Sequence, residues 1–326
     1  MSQLDQGKQV QVAIIGPAGT GKSYLLQALI KQMRSRLVVC KLAPSGVAAH
    51  LIGGTTIHNF FSLDLEYNSS LENGTFQRTR LRKTDVIVVD EFSMLDFILF
   101  RTMEGLCRKF AKHSSSRNPW GGRHVILLGD PAQLPAVSGI DIFGTYLWHK
   151  FTVILLQEVN RATDPTLCAV LSKIREGICD THVSEVLQTR LQNQDINAID
   201  LDRTVIICST RAECDKLNDQ CLDRILGQIC EYEADDCDNH GNGLRAADHQ
   251  RIQQHREWLP DKLQLKVGAR VILRRNMDID AGWVNGTLAV VTALYQNCVV
   301  IRKMSNPSQR SLQRAHNRWF WCTAVT

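Results

Sequence analysis

Apolar residues along this chain fall into short unbroken runs, separated by longer stretches in which they recur every three or four positions. The runs are "QVAII" at residues 11–15, "LVVCKLA" from Leu37, "VIVVD" from Val86, "HVILLGD" from His124, "TVILL" from Thr152 and "TVIICST" from Thr204. A run without alternation has no solvent face, so each predicts a strand buried on both sides. Over residues 22–34, Leu25, Leu26, Leu29, Ile30 and Met33 recur at helical spacing, which predicts a helix directly after the first strand. Most of the other strands are also separated by helix-length segments. Buried strands alternating with helices predict a parallel sheet covered on both faces, an α/β fold.

The texture changes twice. Residues 231–243, "EYEADDCDNHGNG", are acidic and rich in Asn and Gly without periodicity, which predicts a loop or mobile insertion. From Leu263 the pattern becomes short alternating strands with turn signals at "DIDAG" and "NG", which predicts a small antiparallel β module. The expected organisation is a first α/β domain over residues 1–160, a second over 161–262, and a β-rich module with its tail over 263–326.

Composition narrows the class only slightly. A chain of 326 residues with 44% hydrophobic content can bury a sizeable core and suits about two domains. A net charge of +5 permits an anionic partner without naming one. The sequence has no apolar run of the ~18 residues needed to span a bilayer and no secretory leader pattern, so the expectation is a soluble intracellular protein without a membrane partner. A eukaryotic source would place it in the nucleus or mitochondrion. The 11 cysteines are scattered without a C-x-x-C pair, several in strand-like runs, as Cys40 and Cys208 are, and read as reduced core thiols. Cys230, Cys237 and His240 lie close in sequence, but they lack metal-ligand spacing and a fourth ligand, so no zinc site is expected.

The candidate chemistry lies at the ends of the predicted strands. "GPAGTGKS", Gly16 to Ser23, joins the first strand to the first helix and has the Walker A spacing of a P-loop NTPase. In such a loop Gly16, Gly19, Thr20 and Gly21 wrap backbone N–H groups around the phosphates of ATP at a helix N-terminus. Lys22 reaches the β and γ phosphates, and Ser23 offers its hydroxyl to Mg2+. "VIVVDEFS" puts Asp90 and Glu91 at the carboxyl edge of the sheet. Alone, such a pair is as often a solvated or capping feature; with the phosphate loop upstream, Asp90 is expected to hold Mg2+ and Glu91 to orient and deprotonate water. "LLGDPAQLP" ends a further strand and offers Gln133 as a neutral amide to the γ-phosphate and the water. The alternative is an ordinary turn built by Asp130 and Pro131.

These motifs, taken with "APSGVAAHLIGGTTIHNFF" at 43–61, "NPWGGRHVILLGDPAQLPAV" at 118–137, "LQEVNRA" at 156–162 and "LKVGARVILRRN…GWVNGTLAVV" at 265–291, give a chain that resembles the petite-integration-frequency (PIF) family of superfamily-one, RecD-like DNA helicases. The resemblance implies two RecA-like parallel-sheet domains, the second incomplete, with a small SH3-like β module entered near Leu265. It implies ATP-driven 5′ to 3′ movement on single-stranded DNA and unwinding at duplex junctions, in DNA repair, recombination or telomere maintenance. The sequence does not fix the oligomeric state, for which a monomer is the default. The resemblance also implies that Arg161 reaches the γ-phosphate from the second domain, although Ala162 stands where the family usually has glutamine; the alternative is a surface arginine that starts the helix "DPTLCAVLSKIREG". The segment "GTTIHNFF" would line a single-stranded DNA track, with Thr55, Thr56 and His58 near phosphates and bases. Hydroxyls and a ring can grip a strand without reading its sequence. The alternative there is that Phe60 and Phe61 are core and His58 is a loop residue. Arg78, Arg80, Arg82 and Lys83 are either a solvated face or further phosphate contacts.

Both ends depart from the family pattern. The family has an adenine-contacting glutamine ahead of the first strand, for which Gln3, Gln6 and Gln9 are poor candidates. After "VVIRKMSNPSQR" the family continues into "T-x-H-K-x-Q-G" and "Y-V-A-L-S-R" segments, whereas this sequence reads "SLQRAHNRWFWCTAVT". The expectation for residues 1–326 is therefore a truncated helicase with detectable ATP binding, slow hydrolysis and no processive unwinding. The alternatives are a catalytically weak nucleic-acid-binding fragment and a P-loop ATPase acting on protein partners. Stimulation of hydrolysis by single-stranded DNA discriminates between them.

Overall fold

The computed structural model describes residues 8–64, 66–71, 75–111, 115–136, 140–160, 164–191, 200, 204–233, 262–274, 277–278, 281–296, 298–304, 309–313 and 322–324. The chain divides into two compact units, Met1–Asn193 and Gln194–Thr326.

The first unit is built on six strands: β1 (Gln11–Ile15), β2 (Val39–Ala43), β3 (Thr55–Thr56), β4 (Val86–Val89), β5 (His124–Gly129) and β6 (Thr152–Leu155). They pair in parallel in the order β3-β2-β4-β5-β1-β6. Its helices are α1 (Lys22–Met33), α2 (Gly46–Leu51), α3 (Ile57–Phe61), α4 (Thr75–Lys83), α5 (Phe97–Lys109), α6 (Pro165–Arg175) and α7 (Thr181–Gln188). Strand β4 shows why the apolar runs have no alternation. Val86 and Val88 join Ile14, Ile126 and Leu128 against Leu26, Ile30 and Met33 of α1, while Ile87 and Val89 join Ala13, Val125 and Leu127 against Leu99, Phe100 and Met103 of α5. Both faces of the sheet are therefore core, as the sequence pattern requires.

Two strands of this unit differ from expectation. Strand β2 begins at Val39 rather than Leu37. Strand β6 forms where expected but is not buried: among the described residues it is the outer strand and pairs with β1 alone, and Val153, Ile154 and Leu155 are exposed.

Behind the sheet, "NPWGG" turns through left-handed backbone at Trp120 (φ 55°) and Gly121 (φ 61°) and delivers Arg123 into the interior. Its guanidinium donates to the carbonyl oxygens of Leu81 in α4, of Cys107 and Phe110 at the end of α5, and of Trp120. A buried cation thus satisfies carbonyl groups that helix ends leave without intrahelical partners. The Gln9 carboxamide donates to the carbonyls of Pro119 (2.7 Å) and Arg123 (2.8 Å), which commits it to the fold. Gln3 and Gln6 lie outside the described residues.

The second unit contains α8 (Arg211–Arg224), started by the Thr210 hydroxyl accepting from the Glu213 N–H. Strands β7 (Cys230–Glu233) and β8 (Lys262–Leu265) form an antiparallel pair. Strands β9 (Arg270–Leu273), β10 (Leu288–Tyr295), β11 (Cys298–Lys303), β12 (Gln309–Gln313) and β13 (Cys322–Ala324) form an antiparallel sheet in the order β12-β11-β10-β9-β13. Leu265, Val271, Leu273, Trp283, Val291 and Ile301 make its core, with Leu222 of α8 packed among them. The antiparallel module expected from Leu263 onward is present. The buried strand expected at Thr204 is not: residues 204–208 carry no strand, and Val205 and Ile207 are 50% and 93% exposed. An apolar run becomes a strand only where a partner strand and a covering layer receive it, and every strand pairing described in this unit is antiparallel.

Cys40, Cys107 and Cys221 are buried, whereas Cys208 is half-buried and Cys179 exposed, so the thiols are only partly a core feature. Cys237 and His240 lie outside the described residues. Among the described residues no helix is long and apolar enough to cross a membrane.

Candidate functional site

Strands β4, β5 and β1 are consecutive in a parallel sheet, so the segments that follow them emerge side by side at one edge. The loop after β1 is tied to the end of β5 by the Gly16 N–H, which donates to the Gly129 carbonyl at 3.3 Å. A Cβ on Gly16 would stand 2.7 Å from Thr20 Oγ1 and 2.8 Å from the Leu156 carbonyl oxygen, so only glycine fits. Gly19 and Gly21 each adopt φ 85°, and buried Thr20 closes the turn with its Oγ1 donating to the Pro17 carbonyl at 2.9 Å. Among the described residues no side chain caps α1, so the N–H groups of its first turn are without a side-chain acceptor, an arrangement that suits an anion. Lys22 Nζ donates to the carbonyls of Gly16 (2.6 Å) and Pro17 (3.0 Å). Burial lowers its pKa, and the nearby carboxylates of Asp130, Glu91 and Asp90 work in the opposite direction. Ser23 is exposed in the first turn of α1.

At the end of β4, Asp90 Oδ1 accepts from the Glu91 N–H at 3.1 Å. Burial raises the pKa of both carboxyls; the Asp90 charge raises Glu91 further, and Lys22 opposes both shifts. Glu91 has left-handed backbone, φ 54° and ψ 43°, where the chain turns sharply into a short 3-10 turn at Phe92–Met94. The β5 end must be equally close, because a Cβ on Gly129 would lie 2.9 Å from the Phe92 ring.

After β5, Asp130 is 2% exposed. Its Oδ2 accepts from Gln133 Nε2 at 3.1 Å, and its Oδ1 accepts from the Ala132 N–H at 3.1 Å and from Arg175 Nη1 at the end of α6. Burial pushes the Asp130 pKa up, but the hydrogen bonds from Arg175, Ala132 and Gln133 outweigh it and the net shift is downward. Gln133 itself is exposed. The sequence reading had Asp130 only as a turn residue and missed Arg175, which carries no spacing signal because the pair is separated by 45 positions.

The structure brings Gly16 to Ser23, Asp90, Glu91 and Gln133 to one sheet edge, while Arg161 lies outside the described residues. Thr55, Thr56 and His58 lie apart, on β3 and α3 at the opposite side edge of the sheet from β6. Thr55 is buried, and Thr56 caps α3 by accepting from the Asn59 N–H at 3.3 Å. His58 is half-buried, its ring 5.7 Å from that of Tyr67; burial lowers its pKa against the pull of Asp96 and Asp64. Tyr67, which the sequence reading did not single out, donates its hydroxyl to Asp96, the N-cap of α5. Phe60 and Phe61 are fully buried, edge to face at 5.0 Å, so they are core rather than stacking platforms for bases. Arg80 rests 5.0 Å above the Phe60 ring on its outer side.

The residues fit the groups the motif implies. The glycine cradle accepts phosphates, and a hydroxyl with a carboxylate is an oxygen donor set suited to a hard divalent cation. A parallel sheet with a phosphate loop after one strand and acidic residues after its neighbours defines a P-loop NTPase. Within that class, residues 3–182 match the PIF1-like helicase family and residues 255–294 match the 2B domain of the DNA helicase Pif1. The chain belongs to the PIF1-like helicase family. It is 29% identical to the ATP-dependent DNA helicase Pif1 of Bdellovibrio bacteriovorus over 90% of this chain and 66% of that protein. It is 31% identical to the ATP-dependent DNA helicase PIF1 of Danio rerio over 86% of this chain and 44% of that protein. The chain thus spans between under half and about two thirds of the length of these relatives. Among solved structures it superimposes on Pif1 helicase from Candida albicans with a TM-score of 0.74 at 27% identity, covering 95% of this chain and 75% of that one. The Bacteroides Pif1 bound to single-stranded DNA gives 0.73 at 25% identity, covering 96% and 72%.

Proposed function

We propose that this chain binds ATP with Mg2+ at the ends of β1, β4 and β5, hydrolyses it, and works on single-stranded DNA as an ATP-dependent DNA helicase. The observation that carries the reading is the convergence of the phosphate loop, the Asp90–Glu91 pair and Gln133 on one sheet edge around Lys22. The names of the relatives supply the substrate class.

On this reading Lys22 exchanges two neutral carbonyl partners for phosphate oxygens, which accept stronger, charge-assisted hydrogen bonds. Ser23 and Asp90 are the residues that would hold Mg2+, which neutralises phosphate charge when bound. Glu91 accepts a proton from the attacking water, and the upward shift of its pKa moves it toward the pH at which a general base is most effective. Gln133 orients that water, and Arg161 supplies a second cation to the γ-phosphate. The DNA path is assigned to the β3–α3 edge, with Thr55, Thr56 and His58 as its polar groups. As the proposed functional division we keep a first RecA-like domain over 1–160, a second over 161–262 and an SH3-like module over 263–326, although α6 and α7 fall within the compact unit that runs to Asn193; the 2B-domain match at 255–294 overlaps the last of these and begins within the second.

The test is ATP hydrolysis with and without single-stranded DNA of mixed sequence. Stimulation is expected, together with DNA affinity that falls steeply as salt rises and ATP binding that is lost in Lys22→Ala. Hydrolysis indifferent to DNA, or equal ATP affinity in the wild type and Lys22→Ala, would overturn the reading.

A further inference from the structure

A glutamine carboxamide has a donor end and an acceptor end, and an unrestrained one presents either. Gln133 is restrained. Its Nε2 donates to Asp130 Oδ2 at 3.1 Å, while Asp130 Oδ1 accepts from the Ala132 N–H at 3.1 Å and from Arg175 Nη1. The Asp130 side chain is 3% exposed and that of Arg175 29%, so a nearly dry carboxylate is matched by a guanidinium reaching in from the last residue of α6. Without that guanidinium, Asp130 would be a buried charge held by one backbone N–H and one amide, and it would neutralise or turn to water. Either change weakens its hold on the carboxamide, by losing the charge of the acceptor or by turning it away. Asn160, after β6, is tied to the same site, because its N–H donates to the Gly19 carbonyl of the phosphate loop at 2.8 Å.

We propose that Arg175 is a positioning residue of the nucleotide site: by pinning Asp130 it holds the Nε2 end of Gln133 back and leaves Oε1 as the end that accepts a hydrogen bond from the attacking water. The inference rests on the reading of this edge as an ATP-hydrolysing site and names the residue that sets the orientation of its water-facing amide. Arg175 touches neither nucleotide nor water in this role; it acts on Gln133 through Asp130, and its charge is felt in addition at Lys22.

The first measurement uses the full chain without nucleotide. In side-chain amide NMR the Gln133 pair is identified by its loss in Gln133→Ala. It is expected away from the exposed-glutamine position in the wild type, at that position in Arg175→Ala, and between the two in Arg175→Lys. The second is kinetic. Arg175→Ala should lower kcat by roughly 10- to 100-fold with KM for ATP changed by less than about twofold, and Arg175→Ala/Gln133→Ala should be no slower than Gln133→Ala alone. If Arg175→Ala does not fold, Arg175→Met, which keeps the length of the side chain and removes the guanidinium, carries both comparisons. An amide signal indifferent to Arg175, or losses that multiply in the double variant, overturns the proposal. Lys22→Ala separates the two levels. If it keeps ATP affinity, the nucleotide reading itself fails; if it loses ATP while the Gln133 amide ignores Arg175, only the present inference fails.

Discussion

Glu91 combines two costs that folded proteins usually avoid, a side chain on left-handed backbone and a carboxylate drawn out of water. Both are explained if the turn exists to present that carboxylate beside Lys22. Glu91→Gln should keep ATP affinity within about twofold and remove steady-state turnover, a contrast read by calorimetry and phosphate release. His58 gives a pH prediction with a definite sign. Its folded pKa lies below the ordinary 6.5 because burial disfavours the imidazolium. The unfolded state therefore binds the proton more readily, and the stabilisation from neutral His58 is complete above that ordinary value and lost as pH falls through the folded one. His58→Gln should flatten the decline in stability on the acid side of pH 6.5, measured as urea midpoints between about pH 5 and 8, while leaving the alkaline side unchanged.

At the scale of elements, the phosphate loop shows two different uses of glycine. Gly16 is needed for space and Gly21 for its positive φ, since a Cβ on Gly21 meets nothing within 4 Å. Gly16→Ala should displace the loop and weaken ATP binding by more than about tenfold, whereas Gly21→Ala should cost about 1 kcal/mol of backbone strain and bind ATP more nearly normally. Titration calorimetry of both variants checks the contrast. Strands β1, β4 and β5 and helix α1 were legible because each carries its own local pattern: an unbroken apolar run for the strands, and the Leu26, Ile30 and Met33 stripe for the helix. The phosphate loop and the Asp90–Glu91 pair were legible because their spacing is local too. Burial was less legible, since "TVILL" has the composition of a central strand and only the sheet order makes β6 an edge. The run at Thr204 shows the same limit, and β7, "CEYE", lacks an apolar run altogether. Arg175 was invisible because its contact with Asp130 is a product of tertiary structure.

For the whole molecule, the two units have separate cores. Arg123 belongs to the first, where its guanidinium serves the carbonyl ends of two helices. Arg123→Met should leave the Cys107 and Phe110 carbonyls without their guanidinium donor and Leu81 with the Thr84 N–H alone, and lower the stability of the first unit by more than about 3 kcal/mol. Scanning calorimetry should show the transition of the first unit lowered and that of the second unmoved; an equal shift in both would tie their unfolding together. The exposed outer strand β6 has a further consequence, for the colloidal behaviour of the protein. Its four residues, Thr152 to Leu155, carry no charge and no proline, and its free side has no strand partner among the described residues. Such a border is adhesive between copies at high concentration unless a charge interrupts it. A lysine introduced at Ile154, half out in solvent, would act as a gatekeeper there and raise the concentration at which light scattering first detects aggregates, with no change at the nucleotide edge.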